Sequence, residues 1–411
     1  MARIKPFVGL RPRKDMAEKV AAPPYDVLDS DEAREMAAGN PWSILHCSKP
    51  EIDLDPSVDL YDDRVYARGA ENLRRMIEGG VLRQDDTATF YFYRQIMAGH
   101  SQTGLVACAS IEDYENDVIK KHEFTRKDKE LDRIRHIESQ NAQIGPVFLT
   151  YRDVAGMAEI TEKVCSAEPE NDFTSPDGVR HTFWVVREQH VVDRIVQIFA
   201  GIPFLYVADG HHRSAAGTLI GQKRRASNPG HTGREEYNYF LSVIFPKSSL
   251  QIMPYNRVVA DLPGLTQEQF LARISEKFRV YPDPEPTPRA VKNFSMYMAG
   301  KWYGLEALPG SFPAADPVES LDASILQRNL LAPILGIDDP RTSSRINFVG
   351  GIRGTDELER LVDSGRYAVA FSLHAVTMDQ LLDVADNGRV MPPKSTWFEP
   401  KLRSGLVIHM L

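Results

Sequence analysis

The feature that most constrains the fold is a strand-to-helix corner at the middle of the chain. Leu205, Tyr206, Val207 and Ala208 form a short apolar run, which predicts a buried strand. Ser214, Ala215, Ala216, Gly217 and the apolar residues after them predict a helix, small enough along one side to pack closely on a sheet. Between the two lie Asp209, Gly210, His211, His212 and Arg213. A glycine there lets the backbone turn tightly, and the free N–H groups of the first helical turn, backed by the helix dipole, suit an anion. Arg213 adds a fork of donors matched to phosphate oxygens, and the two histidines add donors or proton carriers near neutral pH. A lone histidine after glycine is an ordinary turn residue, but an Asp, two His and an Arg at one corner each need a partner if buried. Metal binding by Asp209, His211 and His212 alone is awkward, because adjacent helical residues diverge by ~100°. A Mg2+ carried in on a nucleotide is a different matter and fits well.

The corner needs a sheet to sit in, and the flanking sequence supplies one. Residues 89–93 and 104–109 are rich in β-formers and read as a hairpin across a Gly-His-Ser-Gln turn. Further strands are expected at 146–151, 182–186, 204–208 and 239–245, with helices between, for example at 30–38 (Ser30 or Asp31 as cap) and 65–78. Past about residue 257 a second unit begins, with helices expected at 266–278, 323–335 and 378–385, a hairpin near 296–305 and a strand at 367–373. The expected class is mixed α/β in two parts, 1–260 and 261–411, since 411 residues exceed what one core usually serves. The net charge of −8 weighs against nucleic acid and anionic membranes as partners. No stretch approaches the ~18 apolar residues of a membrane span. Cys47, Cys108 and Cys165 are too scattered for a disulfide framework or a zinc motif, which suits a reducing, cytoplasmic setting. A homodimer is left open.

A second cluster is Lys120-Lys121-His122-Glu123-Phe124-Thr125, ahead of a helix expected over 126–142 with Thr125 and Asp128 resembling a capping box. On that helix Lys129, Arg133, His136 and Gln140 share one face. The bland reading is a solvated basic face, which suits Lys129. His122, Arg133 and His136 are candidate phosphate-binding residues, and Glu123 is the best general base, set among cations that would keep it ionised. Arg257 either meets phosphate or ties the two parts together. Asp26, in the Pro-Pro-Tyr-Asp loop, either binds a substrate amine or a metal, or caps a turn. The basic-aromatic run Lys394 to Phe398 reads as a structural clamp.

Several segments together carry a resemblance: VAAPPYDVL at 20–28, the Asn40-Pro41-Trp42-Ser43 turn, QTGLV at 102–106, KHEFT at 121–125, ADGHHR at 208–213, YNRVV at 255–259 and MPPKSTWFEPKL at 391–402. As a set, from residue 3 to the C-terminus, they resemble the prokaryotic family called domain of unknown function 1015, whose name carries no activity. The DGHHR element also looks like the phosphate-binding signature of free serine kinases in the ParB/sulfiredoxin superfamily. That likeness implies a ParB/sulfiredoxin-like first part followed by a second α/β part. It also implies phosphoryl transfer from ATP or ADP, with Mg2+, to the hydroxyl of a small metabolite, L-serine foremost. By position, Asp209, His211, His212 and Arg213 would hold the phosphates and Mg2+, with Asp209 on the metal; Asp209 and His211 are in addition candidate catalytic residues, and Gly210 a candidate phosphate-binding one. The chain is longer than those kinases, and no motif fixes a counterpart of their catalytic glutamate.

The rival reading is a nucleotide-responsive switch that binds CTP or ATP without turning over a small molecule. A sulfiredoxin-like repair enzyme ranks last, because no cysteine lies near 209–213. A metal-dependent hydrolase would require tightly held metal and no affinity for nucleotide.

Overall fold

The expected hairpin forms from Tyr91–Met97 and His100–Ser110, paired antiparallel. The turn falls at Ala98 and Gly99, both at positive φ, so His100 and Gln102 lie in the strand rather than in the turn. The computed structural model describes all 411 residues. They divide into two compact units, Met1–Leu250 with Pro400–Leu411, and Gln251–Glu399. The expected division at 260 thus falls ten residues early in the structure, and the C-terminal twelve residues return to the first unit. There Ser404 and Ala22 form a bridge, Leu10 bridges Ile408, and His409–Met410 pairs with Ala142–Gln143.

The first unit is built on a nine-stranded mixed sheet. From one edge its order is Ile119–Lys120, Leu205–Asp209, Val147–Tyr151, Tyr239–Pro246, His100–Ser110, Tyr91–Met97, Arg180–Val185 and Asn171–Thr174, and Ile4–Lys5 pairs with His100–Ser110. Leu205–Asp209 runs parallel to Ile119–Lys120, and Tyr239–Pro246 runs parallel to Val147–Tyr151. The central strands are buried on both faces, as near-continuous apolar runs require. On one face Leu149, Val207 and Ile244 pack with Ile195 and Phe199 of the helix Gln189–Phe199. Each such side chain, fully buried, stabilises the unit by ~1.5–3 kcal/mol. A separate core gathers Ile44, Leu73 and Met76 around Ala142 and Ile408.

The helix His211–Ser227 packs on Tyr239–Pro246 and against the helix Lys127–Gln140. Its small residues permit this: a Cβ at Gly217 would come within 3.1 Å of Phe240 Cβ, and one at Gly221 within 2.4 Å of the Tyr237 carbonyl oxygen.

The second unit is a six-stranded antiparallel sheet in the order Phe278–Pro282, Lys301–Ala307, Asn293–Met298, Val369–Leu373, Tyr255–Val259, Ile346–Gly350. Strand alternation separates its two cores. Val259 and Phe371 face Phe270 and Leu330, while Val258 and Ala370 face Leu358 and Val362.

Several local expectations change. Asp29, not Ser30 or Asp31, caps Ser30–Ala37, sharing a capping box with Glu32. Thr125 does not cap the helix Lys127–Gln140; its hydroxyl bonds Glu130 instead. The helix at 323–335 is α-helical only over Asp322–Leu326, then widens into a π-turn over Gln327–Leu331. No helix is long and apolar enough to cross a membrane.

Candidate functional site

The strand Leu205–Asp209 ends in an irregularity of register between Val207 and Asp209 against Val147–Tyr151. Such bulges re-aim a side chain. Gly210 follows at φ 88° and caps the helix His211–Ser227, a conformation that only glycine adopts without strain. Its carbonyl accepts from the amides of Arg213 and Ser214 at 2.9 and 3.0 Å. The amides of His211 and His212 begin the helix and have no intrahelical acceptor, so the N-terminus presents donors and the positive end of the dipole.

Asp209 meets two cations. Lys401 Nζ lies 3.3 Å from its Oδ2, and Arg213 Nη2 lies 3.7 Å from the same oxygen. Burial opposes ionisation of Asp209, but Lys401 and Arg213 outweigh it and hold the carboxyl well below the usual carboxylate range. Arg213 is buried, donates to the Pro146 carbonyl, and reaches Asp26 Oδ2 at 3.4 Å. The Pro-Pro-Tyr-Asp loop is thereby joined to the corner. Burial pushes the neighbouring Tyr25 hydroxyl up to about 12.

The parallel pairing of Ile119–Lys120 with Leu205–Tyr206 brings the Lys-His-Glu-Phe-Thr segment alongside the corner. His122 and His211, both buried, stand edge to face with ring centroids 4.6 Å apart. Burial pushes His122 down to about 4, with Asp209 pulling the other way. His211 is held well below its ordinary value by burial and then by His122. Both imidazoles are therefore neutral at pH 7. His211 Nδ1 is 3.7 Å from Glu123 Oε2, and its Nε2 is buried without a hydrogen-bond partner. Glu123 itself is half exposed, with a side-chain accessibility of 52%. His212 turns differently: its Nε2 accepts from the Arg126 amide at 3.1 Å and ties the segment to the helix.

Asp26, His122, Glu123, Asp209, Gly210, His211, His212 and Arg213 therefore come together. The other candidates do not join them at the helix N-terminus. Arg133 stacks on Tyr25, 3.7 Å from ring centroid to guanidinium, and bonds Asp132. His136 lies edge-on to Tyr66 at 4.9 Å. The shared helical face was legible, but what it packs against was not. Arg257 belongs to the second unit, where it donates to the carbonyls of Tyr255 and Lys394 and lies 5.4 Å from the Phe348 ring. Burial lowers its basicity to about 10, and its bonds there are those of a structural residue. No group of three or more His, Cys, Asp or Glu side chains is placed to hold a metal ion. The residue missed by sequence reasoning is Lys401, visible only as part of the MPPKSTWFEPKL run.

Fold and corner together define a mixed α/β protein with an anion-receptive helix N-terminus flanked by a buried imidazole pair and a Lys–Asp ion pair. The chain belongs to the family described as protein of unknown function, DUF1015, whose model matches residues 4–324. No curated protein matches it. Among solved structures it is similar to a free serine kinase in complex with AMP, with 15% identity, 71% of this chain and 89% of that one covered, and a TM-score of 0.36. It is also similar to a conserved hypothetical protein from Pyrococcus furiosus (14% identity, 71% and 93% covered, TM-score 0.34). A third is SbnI with C-terminal truncation from Staphylococcus aureus (10% identity, 73% and 85% covered, TM-score 0.36).

Proposed function

We propose that this protein is a nucleotide-dependent phosphotransferase that acts in the cytoplasm on the hydroxyl of a small metabolite, free L-serine foremost. The observation that carries the reading is the convergence at one helix N-terminus of Gly210, the Asp209–Lys401 pair and the Glu123–His211 pair. Phosphoryl transfer needs positioning and charge neutralisation more than covalent chemistry, and this corner offers both. The amides of His211 and His212 and the cations Lys401 and Arg213 would receive the phosphates of ATP or ADP. Glu123, half exposed beside a neutral imidazole, would accept the acceptor's hydroxyl proton as its oxygen bonds the terminal phosphorus. The bond to the bridging oxygen then breaks, and the shortened nucleotide leaves with that electron pair. The likeness of the Asp-Gly-His-His-Arg element to the phosphate signature of free serine kinases supports the choice.

The residues fit Mg2+ only as a partner of the nucleotide. Asp209 is one carboxylate, already beside two cations, so most ligands would come from phosphate and water, as Mg2+ commonly accepts. When bound, the ion would neutralise charge developing on the phosphates.

Phosphorus NMR of the protein with Mg2+, ATP or ADP, and L-serine tests the reading. A phosphoserine resonance that is lost in His211→Ala and in Glu123→Ala is expected. Nucleotide that binds yet stays intact with every hydroxylated acceptor would overturn it in favour of a nucleotide-responsive switch.

A further inference from the structure

Among the buried polar atoms of the first unit that lack a hydrogen-bond partner, three belong to residues that line one cavity: Ser48 Oγ, His136 Nδ1 and Arg213 Nε. These residues are 8%, 7% and 8% exposed, so water outside the cavity does not satisfy them. Buried polar groups are ordinarily bonded, and a stranded one points to an occupant. The cavity has a volume of about 60 Å³, room for roughly four water-sized occupants. Partly exposed Tyr25 and Arg133 are among its lining residues and give it a side toward solvent.

The chemistry of the lining selects the occupant. It includes two guanidiniums, Arg133 and Arg213, and no aspartate or glutamate. Arg133 is neutralised by Asp132, with Nε 3.0 Å from its carboxylate, and Arg213 is only loosely matched by Asp26 at 3.4 Å and Asp209 at 3.7 Å. The residual positive charge is small, which suits a monoanion better than a phosphate dianion. With no carboxylate in the lining, an ammonium group would go unpaired, which disfavours an amino acid. The rest of the wall mixes neutral polar side chains, Gln140, Gln143 and Ser404, with the apolar Ile144, Val147 and Phe240, and the apolar part suits a short carbon body.

We propose that this cavity binds a short carboxylate, acetate to lactate in size, whose oxygens take the free donors of Arg213, Ser48 and His136. The site is separate from phosphoryl transfer and stands without it, although Arg213 borders both.

The test uses the full-length protein without nucleotide, titrated calorimetrically with sodium acetate and sodium L-lactate, and with inorganic phosphate and L-serine as contrasts. Saturable binding of acetate or lactate is expected, weakened about tenfold or more by Ser48→Ala and abolished by Ala142→Leu, which fills the cavity from a lining position outside the transfer cluster. Circular dichroism confirms that both variants fold, and if Ala142→Leu does not, Ser48→Ala decides alone. No heat from either carboxylate, or binding that Ser48→Ala leaves unchanged, overturns the proposal. Preferential binding of phosphate or serine with the same variant sensitivity also overturns it, because the charge argument would then be wrong. Phosphoserine formation is read separately, so either idea can fail while the other stands.

Discussion

Lys401 Nζ stands 3.3 Å from Asp209 Oδ2, across 192 residues of sequence. The C-terminal tail therefore supplies a cation to the corner at Asp209. Replacing it with an isosteric neutral side chain, Lys401→Met, leaves a mostly buried carboxylate with Arg213 alone, 3.7 Å away. A loss of about 1–3 kcal/mol in unfolding free energy is expected, the usual cost of stripping a charged partner from a desolvated group. The Asp209 carboxyl is depressed in the folded protein, so its contribution is full above its unfolded pKa of ~3.9 and is lost as pH falls through the folded value. Denaturant titrations at pH 7 and pH 3 should show the variant's deficit shrinking at the lower pH. An equal deficit at both would mean that Lys401 acts through packing.

Gly210 sits at φ 88°, and a Cβ there would lie 3.1 Å from Arg213 Cζ. Gly210→Ala should cost about 1–2 kcal/mol for the left-handed backbone, plus whatever displacement the guanidinium suffers. Gly210→Asn separates the two causes, because asparagine tolerates that backbone region but carries the same Cβ. A smaller loss in Asn than in Ala, measured by urea unfolding, assigns the cost to the dihedral. Equal losses assign it to the contact with Arg213.

The corner was legible because its determinants are local: an apolar run, a glycine, and small residues at helical spacing. The company it keeps was only partly so. Parallel pairing of Ile119–Lys120 with Leu205–Tyr206 is what sets His122 and Glu123 beside His211, and no local pattern encodes which strands will be neighbours. For the same reason the face shared by Arg133 and His136 was readable from helical periodicity, while the stack on Tyr25 and the cavity behind it were not. The role of Arg257 stays open at the level of sequence because a conspicuous arginine near strand residues reads alike whether it meets a ligand or two backbone carbonyls. The tail has no period to read. Its order comes from distant partners, including the ladder of Gln251–Met253 with Trp397–Glu399 and the bridge of Ser404 to Ala22.

Arg403, two residues beyond Lys401, is one of the side chains that anchor the tail, beside Gln95 and Gln102, which donate to the Lys401 and Pro400 carbonyls. It is buried and donates to Ser175 Oγ at 2.9 Å and to Asp177, while His181 Nε2 lies 3.3 Å from its Nε. Arg403→Met should free the last residues without touching the Asp209–Arg213 corner directly. Hydrogen exchange over 400–411 is expected to speed up by at least tenfold, with a global loss of about 1–3 kcal/mol. Protection unchanged in that segment would show that the Ser404 and His409 pairings hold the tail unaided.

His122 makes stability depend on pH in a direction that geometry fixes. Its imidazole is 1% exposed, and burial lowers its pKa to about 4, against ~6.5 in an unfolded chain. Above pH 7 neither state binds the proton and the residue is neutral in its effect. As pH falls from 6.5 toward 4 the unfolded chain takes up a proton that the folded one refuses, so stability declines, by on the order of 3 kcal/mol in all. His211 and His181, also lowered by burial, add slope of the same sign, whereas the loss at Asp209 begins only below this window. Unfolding free energies between pH 7.5 and 4.5 should therefore fall more gently in His122→Phe than in the parent, even if the variant is less stable throughout. Identical slopes would mean that His122 takes its proton in the folded state as readily as in the unfolded one, and the buried, neutral imidazole pair would have to be given up.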